Sequence, residues 1–414
     1  MNIHTNKLLV NTECADDIIR PAYEEKLSFA NIMPTVNKIL GVEDAHETLP
    51  ESEYLSSPQI DNVILIFLDN FAWYFLEKYI DEYAFLDDYN HQISKLTSQF
   101  PATTSAHATS VYTGLPVYEH GIYEWHMYHD EIDEIISPFL LNRPTDTRPE
   151  TLLDDYAIDQ ILPQSNVFEK IEAYGLSTQA IVPNILAPSA FNHYYKGSND
   201  PIGYATLSEG FTKLKEVVVN STKGFTYFYY EGIDTISHKY RIDSEYTYAE
   251  LKSTLWHLQN FLSRIKNNPN TLVLVCADHG QTAVYDTQTV YLDDLFPDIK
   301  INQIARYPGQ NNPLGTPRDF FLRLDAKDDT KAIIDRLKDK LGEQYHVLSY
   351  QDMQNLGLFK ESEIFKRRFG HVAIIGKEGH CAYINSAQHK ITKKSLHGGL
   401  SSKEMYIPLI SVLF

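Results

Sequence analysis

Cysteine is scarce in this chain: 414 residues hold only Cys14, Cys276 and Cys381. Three widely separated thiols, an odd number, exclude a disulfide framework as the basis of the fold. No stretch approaches the roughly 18–20 apolar residues of a membrane-spanning helix, so no membrane partner is expected. The opening MNIHTNKLLVNTECADD lacks an apolar core of signal-peptide length, and the expected location is the cytoplasm. Positive charge is also short, with 36 Lys and Arg against 55 Asp and Glu and a net charge of −19. That balance argues against a nucleic-acid polymer as partner, because such binding depends on basic residues neutralising phosphates. A small anionic ligand remains admissible where metal ions supply the local positive charge. Internal repeats and low-complexity segments are absent, and 43% hydrophobic with 22% charged residues describes a chain that is globular throughout.

Four segments read as buried strands, each beside chemically useful residues. Residues 62–68, NVILIFL, form a near-continuous apolar run of the kind covered on both faces, and Asp69 follows it. The aromatic-rich FAWYFLEKYI after it has helical spacing. Residues 224–232, GFTYFYYEG, end just before Asp234, and 271–277, TLVLVCA, run into Asp278, His279 and Gly280. The C-terminal MYIPLISVLF follows His397-Gly-Gly-Leu-Ser-Ser. Helical patterns such as 248–265 lie between them, and this order predicts an α/β fold with a doubly wound, mostly parallel sheet in an α/β/α sandwich. Ligands in such sheets gather beyond the carboxyl ends of the strands. Residues 301–388 differ in texture, with short strand-like pieces around the helical TKAIIDRLKDKLG. They are expected to form a small α+β lid inserted into a core made of 1–300 and 389–414.

The stretch ATTSAHATS, residues 102–110, gathers five hydroxyls and a histidine in nine residues. Ser and Thr are common at helix N-termini, and within this run Thr103, Thr104 and Ser105 are equally placed to be a nucleophile. Asp234 and His238, four positions apart, share a face on a helical turn. Adjacent Asp278 and His279 at a strand end can reach a metal from two sides, and Gly280 permits the sharp turn after them. With Asp69 and His397 these make a set of carboxylates and imidazoles suited to zinc, or to manganese, rather than a thiolate site. Two divalent ions would balance three carboxylates and one alkoxide, which tolerates a phosphodiester anion better than a dianionic monoester.

In order and wording, LIFLDNF, FPATTSAHATSVYTGLPVYEHGI, YYEGIDTISH, VCADHGQT and HGGLSSKEMYIPLI resemble the alkaline phosphatase superfamily, most of all its type I phosphodiesterase/nucleotide pyrophosphatase branch. The resemblance implies two metal ions, one surrounded by Asp69, Thr104, Asp278 and His279 and the other held by Asp234, His238 and His397. It places the nucleophile on Thr104. The implied activity is hydrolysis of a phosphodiester or pyrophosphate bond in a small nucleotide-like substrate, through a phosphothreonine intermediate. Alternatives on the same core are a phosphomonoesterase, a phosphonate hydrolase, a phosphotransferase or a catalytically silent nucleotide-binding protein. A sulfatase is disfavoured, since no Cys lies in a C-x-P-x-R context.

Two departures from the family pattern stand out. Relatives carry an Asn in H-G-I-x-x-N that donates to a phosphoryl oxygen, whereas this chain reads His120-Gly-Ile-Tyr-Glu-Trp125. His107, three positions after Thr104 and so on the same helix face, is the expected substitute donor. Relatives also read Asp-Gly where this chain reads Asp69-Asn70. Tyr123, Trp125 and Phe191 lie in aromatic segments able to stack a nucleobase and are candidate substrate contacts.

Overall fold

The computed structural model describes residues 1–14, 17–221, 223–304, 306, 309–325, 327–385 and 391–414. Eight strands form the central sheet, in the order Ile3–His4, Asn90–Thr97, Tyr406–Leu413, Thr271–Cys276, Asn62–Leu68, Gly224–Tyr230, Ser177–Pro183 and Ile202–Tyr204. The chain thus winds outward from Asn62–Leu68 in both directions, the doubly wound arrangement expected of alternating strands and helices. The apolar runs take the middle of the sheet because only there are both faces covered. Val63 to Leu68 and Leu272 to Cys276 are all at most 1% exposed. Each such Val, Ile, Leu or Phe contributes about 1.5–3 kcal/mol by leaving water. Among the described residues no helix is long and apolar enough to cross a membrane.

Sheet direction explains how distant segments meet. Asn62–Leu68 pairs in parallel with both Gly224–Tyr230 and Thr271–Cys276. Asp69, Asp234 and Asp278 therefore all emerge at one edge. Tyr406–Leu413 runs antiparallel to Thr271–Cys276, with Leu409 opposite Cys276. An antiparallel strand enters where its neighbours leave, so His397, which precedes it, arrives at the edge that the aspartates follow.

Residues 319–376, within the region expected to form the insert, hold a separate three-stranded antiparallel sheet, with Val372–Gly376 between Asp319–Leu322 and Tyr345–Ser349. Helix Thr330–Leu341 packs on it, capped by the Asp329 side chain, which accepts the Ala332 N–H. Its apolar cluster takes in Leu292 and Phe296 as well as Ile301, so the packing of this region begins before residue 301. The end expected at 388 lies outside the described residues, as do Tyr307 and Pro308 of the loop that opens the region. Strand alternation joins the two parts: Phe320 and Leu322 face the small cluster, while Phe321 between them packs into the main core.

Candidate active site

Thr104 is the first residue of helix Thr104–Thr113, behind the extended N-cap residue Thr103. A helix start leaves its first N–H groups without intrahelical acceptors, which favours an anion there. The Thr103 side chain makes no capping bond, and the buried hydroxyls of Thr103 and Ser105 have no partner among the described residues. Thr104 Oγ1 donates to Asp69 Oδ2 at 3.1 Å and lies 3.3 Å from His279 Nε2. Tyr229 anchors the same carboxylate, its hydroxyl donating to Asp69 Oδ2 at 2.7 Å.

The carboxylates and imidazoles expected at the strand ends come together in two overlapping groups. Ligand atoms of Asp69, Asp278 and His279 lie within 4.8 Å of one another, as do those of Asp234, His279 and His397. His238 joins the second group through Asp234 Oδ2, 3.2 Å from its Nε2. Helix Gly232–Tyr240 carries both residues in i and i+4 positions, and Gln281 donates to the other oxygen of Asp234. Gly280 sits where an added Cβ would lie 2.0 Å from the Lys403 carbonyl, so this turn accepts only glycine.

The histidine tautomers are set by the backbone. Nδ1 of His238 lies 2.6 Å from the Ser395 carbonyl, that of His397 2.9 Å from Ala102, and that of His279 3.2 Å from Gly280. A carbonyl can only accept, so each Nδ1 carries the proton and each Nε2 presents a lone pair. His279 Nε2 faces Asp278 Oδ2 at 3.1 Å. Burial depresses His397 to about 3 and holds His279 well below its ordinary value, so both rings are neutral. Burial also raises Asp278 to about 7 and Asp69 well above the carboxylate range, each helped by neighbouring carboxylates. Asp69 Oδ1 and Asp278 Oδ2 are buried with no hydrogen-bond donor among the described residues. Lone pairs facing lone pairs in a dry site are unfavourable until a cation sits between them. The residues present fit divalent metal ions, with carbonyl-oriented imidazoles of the kind that metal-binding histidines show.

A family model described as type I phosphodiesterase / nucleotide pyrophosphatase matches residues 63–399. The chain belongs to that family. It is accordingly a phosphodiesterase/nucleotide pyrophosphatase-type hydrolase, a phosphoester hydrolase with the ligand groups of a divalent-metal enzyme. No curated protein matches it in sequence. Solved structures share the fold. An inactive form of murine ectonucleotide pyrophosphatase/phosphodiesterase 5 in complex with AMP has a TM-score of 0.63 at 15% identity, over 84% of this chain and 87% of its own. The human counterpart gives 0.63 at 14% over the same shares. Phosphonoacetate hydrolase from Sinorhizobium meliloti in complex with phosphonoformate gives 0.62 at 16%, over 89% of this chain and 92% of that one.

The Asp69-Asn70 departure has a structural reason. Asn70 has φ of 59°, the left-handed region that glycine and asparagine enter most readily. Its N–H donates to Asp278 Oδ1 at 3.1 Å, tying two ligand-bearing strands together.

His107 differs from expectation. Helical side chains lean toward the N-terminus, and here the ring turns back over the start of its helix. Nδ1 donates to the Thr103 carbonyl at 2.8 Å, while Nε2 accepts the Gln99 N–H at 3.0 Å and lies 2.9 Å from Ser98 Oγ. Phe29 packs edge-on against the ring at 4.7 Å, and burial lowers its pKa to about 4. No nitrogen is left for a phosphoryl oxygen, so His107 braces the helix start. His107→Ala strands the buried Gln99 N–H, and a loss of about 1–3 kcal/mol is expected in urea unfolding. A variant of unchanged stability with a greatly slowed chemical step would restore the donor role.

The site opens into a cavity of about 750 Å³. Asp69, Thr104, Asp234, His238 and His397 border it, and Trp125, Phe139, Ile185 and Leu186 form an apolar wall. Tyr123 and Phe191 do not border it. Tyr123 is fully buried, its hydroxyl on the Arg368 carbonyl and its ring against Phe369. Phe191 is packed among Tyr112, Phe139 and Tyr195. Phe139 and Ile185 carried no motif that could have singled them out.

Residues 316–319 hold the His397 loop. Fully buried Arg318 pairs with Glu404 through two bonds of 2.9 and 2.8 Å, and Glu404 accepts the Gly399 N–H at 3.0 Å. Thr316 Oγ1 contacts the His397 carbonyl at 3.2 Å. Gly398, with φ of 114°, lies where a Cβ would meet Asp319 Oδ1 at 2.4 Å. This close approach accounts for a glycine directly after His397.

Proposed function

We propose that the protein is a two-metal hydrolase of small phosphodiesters or pyrophosphates, with Thr104 as its covalent nucleophile and zinc, or else manganese, as its metal. The observation that carries this reading is the gathering of three backbone-oriented imidazoles and three buried carboxylates into two overlapping groups, of which Asp69 and His279 contact the Thr104 hydroxyl. Asp69, Asp278, His279 and Thr104 would hold one ion, and Asp234, His238 and His397 the other. Two such ions would supply Lewis-acid charge for the attacking and departing oxygens.

The chain's own groups do the rest. Thr104 Oγ1 forms the bond to phosphorus while the bond to the leaving oxygen breaks, the hydroxyl proton ending on the leaving group; the resulting phosphothreonine still carries the substrate's other ester or phosphoryl group until water cleaves its Thr–O–P bond. The hydroxyl hydrogen already points at Asp69 Oδ2, which fixes the orientation of the oxygen lone pairs. The N–H groups of the first helical turn and the free hydroxyls of Thr103 and Ser105 are the available donors for the equatorial oxygens. Trp125 and Phe139 offer a flat apolar surface for a nucleobase or another ring.

No Lys or Arg among the described residues hydrogen-bonds to Thr104 or Asp69. A second negative oxygen on the reacting phosphorus would therefore lack a cationic side chain bonded beside Thr104. Bis(4-nitrophenyl) phosphate should be hydrolysed with kcat/KM about 10²-fold or more above 4-nitrophenyl phosphate. Equal or better turnover of the monoester would replace this reading with a phosphomonoesterase. Turnover of neither by metal-loaded protein would favour the silent binding protein.

A further inference from the structure

Two lysines reach the cavity from one built corner. Lys239 directly follows His238, and Lys393 directly precedes Lys394, whose N–H donates to the His238 carbonyl at 2.7 Å. Ser395 next to it supplies the carbonyl that orients the His238 ring, and Ser395-Leu396 pairs antiparallel with Thr282-Ala283. That backbone bond sets the two lysines beside each other, on segments tied to the ligand histidines. Both line the cavity. Among the described residues neither lysine has a carboxylate partner; Lys239 lies 5.0 Å over the Tyr240 ring, and Lys393 forms no ion pair.

In a chain of net charge −19, two ammonium groups without a carboxylate partner among the described residues stand at the mouth of the site. A cavity of about 750 Å³ also has room for much more than one phosphoryl group.

We propose that Lys393 and Lys239 form a subsite for a second anionic group, a phosphate or a carboxylate, carried by the substrate beyond the scissile bond. This deepens the reading given above and rests on it. The corner adjoins His238 and His397, so the leaving group is the part that bears the extra charge. The favoured substrates are then phosphoanhydrides, or diesters whose leaving group is itself anionic, over neutral-alcohol diesters. Neither lysine hydrogen-bonds to Thr104 or Asp69, so the subsite is assigned to the leaving group and not to a second charge on the reacting phosphorus itself.

The test is calorimetric titration of the metal-loaded protein with methylphosphonate, phosphonoacetate and methylenediphosphonate. Wild type should bind one or both two-anion probes about ten-fold or more tighter than methylphosphonate, the scale of an added charged hydrogen bond. The Lys393→Ala, Lys239→Ala double variant should bring that ratio to within about two-fold of unity, with Lys393→Arg keeping most of it. Excess affinity for methylenediphosphonate alone marks a phosphate subsite, and excess for both probes marks one for anions in general. Mere chelation of the metals would not respond to the lysines. A ratio near unity in wild type, or one unmoved in the double variant, overturns the proposal. If methylphosphonate binds and bis(4-nitrophenyl) phosphate is hydrolysed in that case, only the subsite falls. If neither happens, the hydrolase reading falls with it.

Discussion

Thr104→Ala is expected to reduce turnover by about 10³-fold or more while the protein keeps its fold. On the proposed mechanism the variant lacks the oxygen that bonds to phosphorus, and no other Ser or Thr hydroxyl among the described residues bonds to Asp69 in its place. Thr104 Oγ1 is the hydroxyl held between Asp69 and His279. The oxygens of Thr103 and Ser105 are buried without partners and make no contact with the carboxylates. The stability change should stay within about 1 kcal/mol, since one methyl and one hydroxyl are removed at a site lined by a cavity. Thr103→Ala is the control. It deletes a hydroxyl that makes no capping bond, and its effect on kcat should be far smaller. A reversed order of the two variants would show that the nucleophile lies one residue earlier.

Removing divalent metal with a chelator is expected to abolish hydrolysis and to lower the melting temperature. Elemental analysis of the untreated protein should find about two ions per chain, zinc foremost. The stability change follows from burial. Without cations, Asp69 and Asp278 stand close together in a site that gives their free oxygens no donor. An ion that binds the folded chain alone, at a thousand times its Kd, stabilises it by about 4.1 kcal/mol. Asp278→Asn should lose metal at one site and with it most activity. Full activity in excess chelator, with no metal found in the protein, would contradict the two-metal account.

Much of this was legible in the chain because parallel sheets write their strands plainly. VILIFL and LVLVC are apolar throughout since both faces are covered, and the aspartate that closely follows each stands out against that background. The run from Phe100 to Ile122 was specific enough to indicate the family. What the sequence hid were contacts made by ordinary-looking residues across large separations. Arg318 and Glu404 are 86 positions apart, and nothing in RDFF or SSKE marks them as a buried pair. Phe139 and Ile185 became cavity walls only through folding. The misreading of His107 has a definite cause: helical spacing places its Cα on the correct face but does not say which way the ring leans. Tyr123 misled for a related reason, since an aromatic beside a site motif serves equally well to pin a motif loop to the core. Asn70 shows the opposite case, an unexplained departure that its left-handed φ resolves.

The central claim is that the phosphoryl group passes through Thr104, and acid-quench mass spectrometry during turnover of bis(4-nitrophenyl) phosphate tests it most directly. The account predicts a phosphoryl ester on the peptide containing residues 102–110, localised by fragmentation to Thr104, formed within the first turnover and absent from Thr104→Ala. Phosphorylation at another residue, or a wild-type enzyme that turns over rapidly with no phosphoryl ester at any quench time, would contradict it.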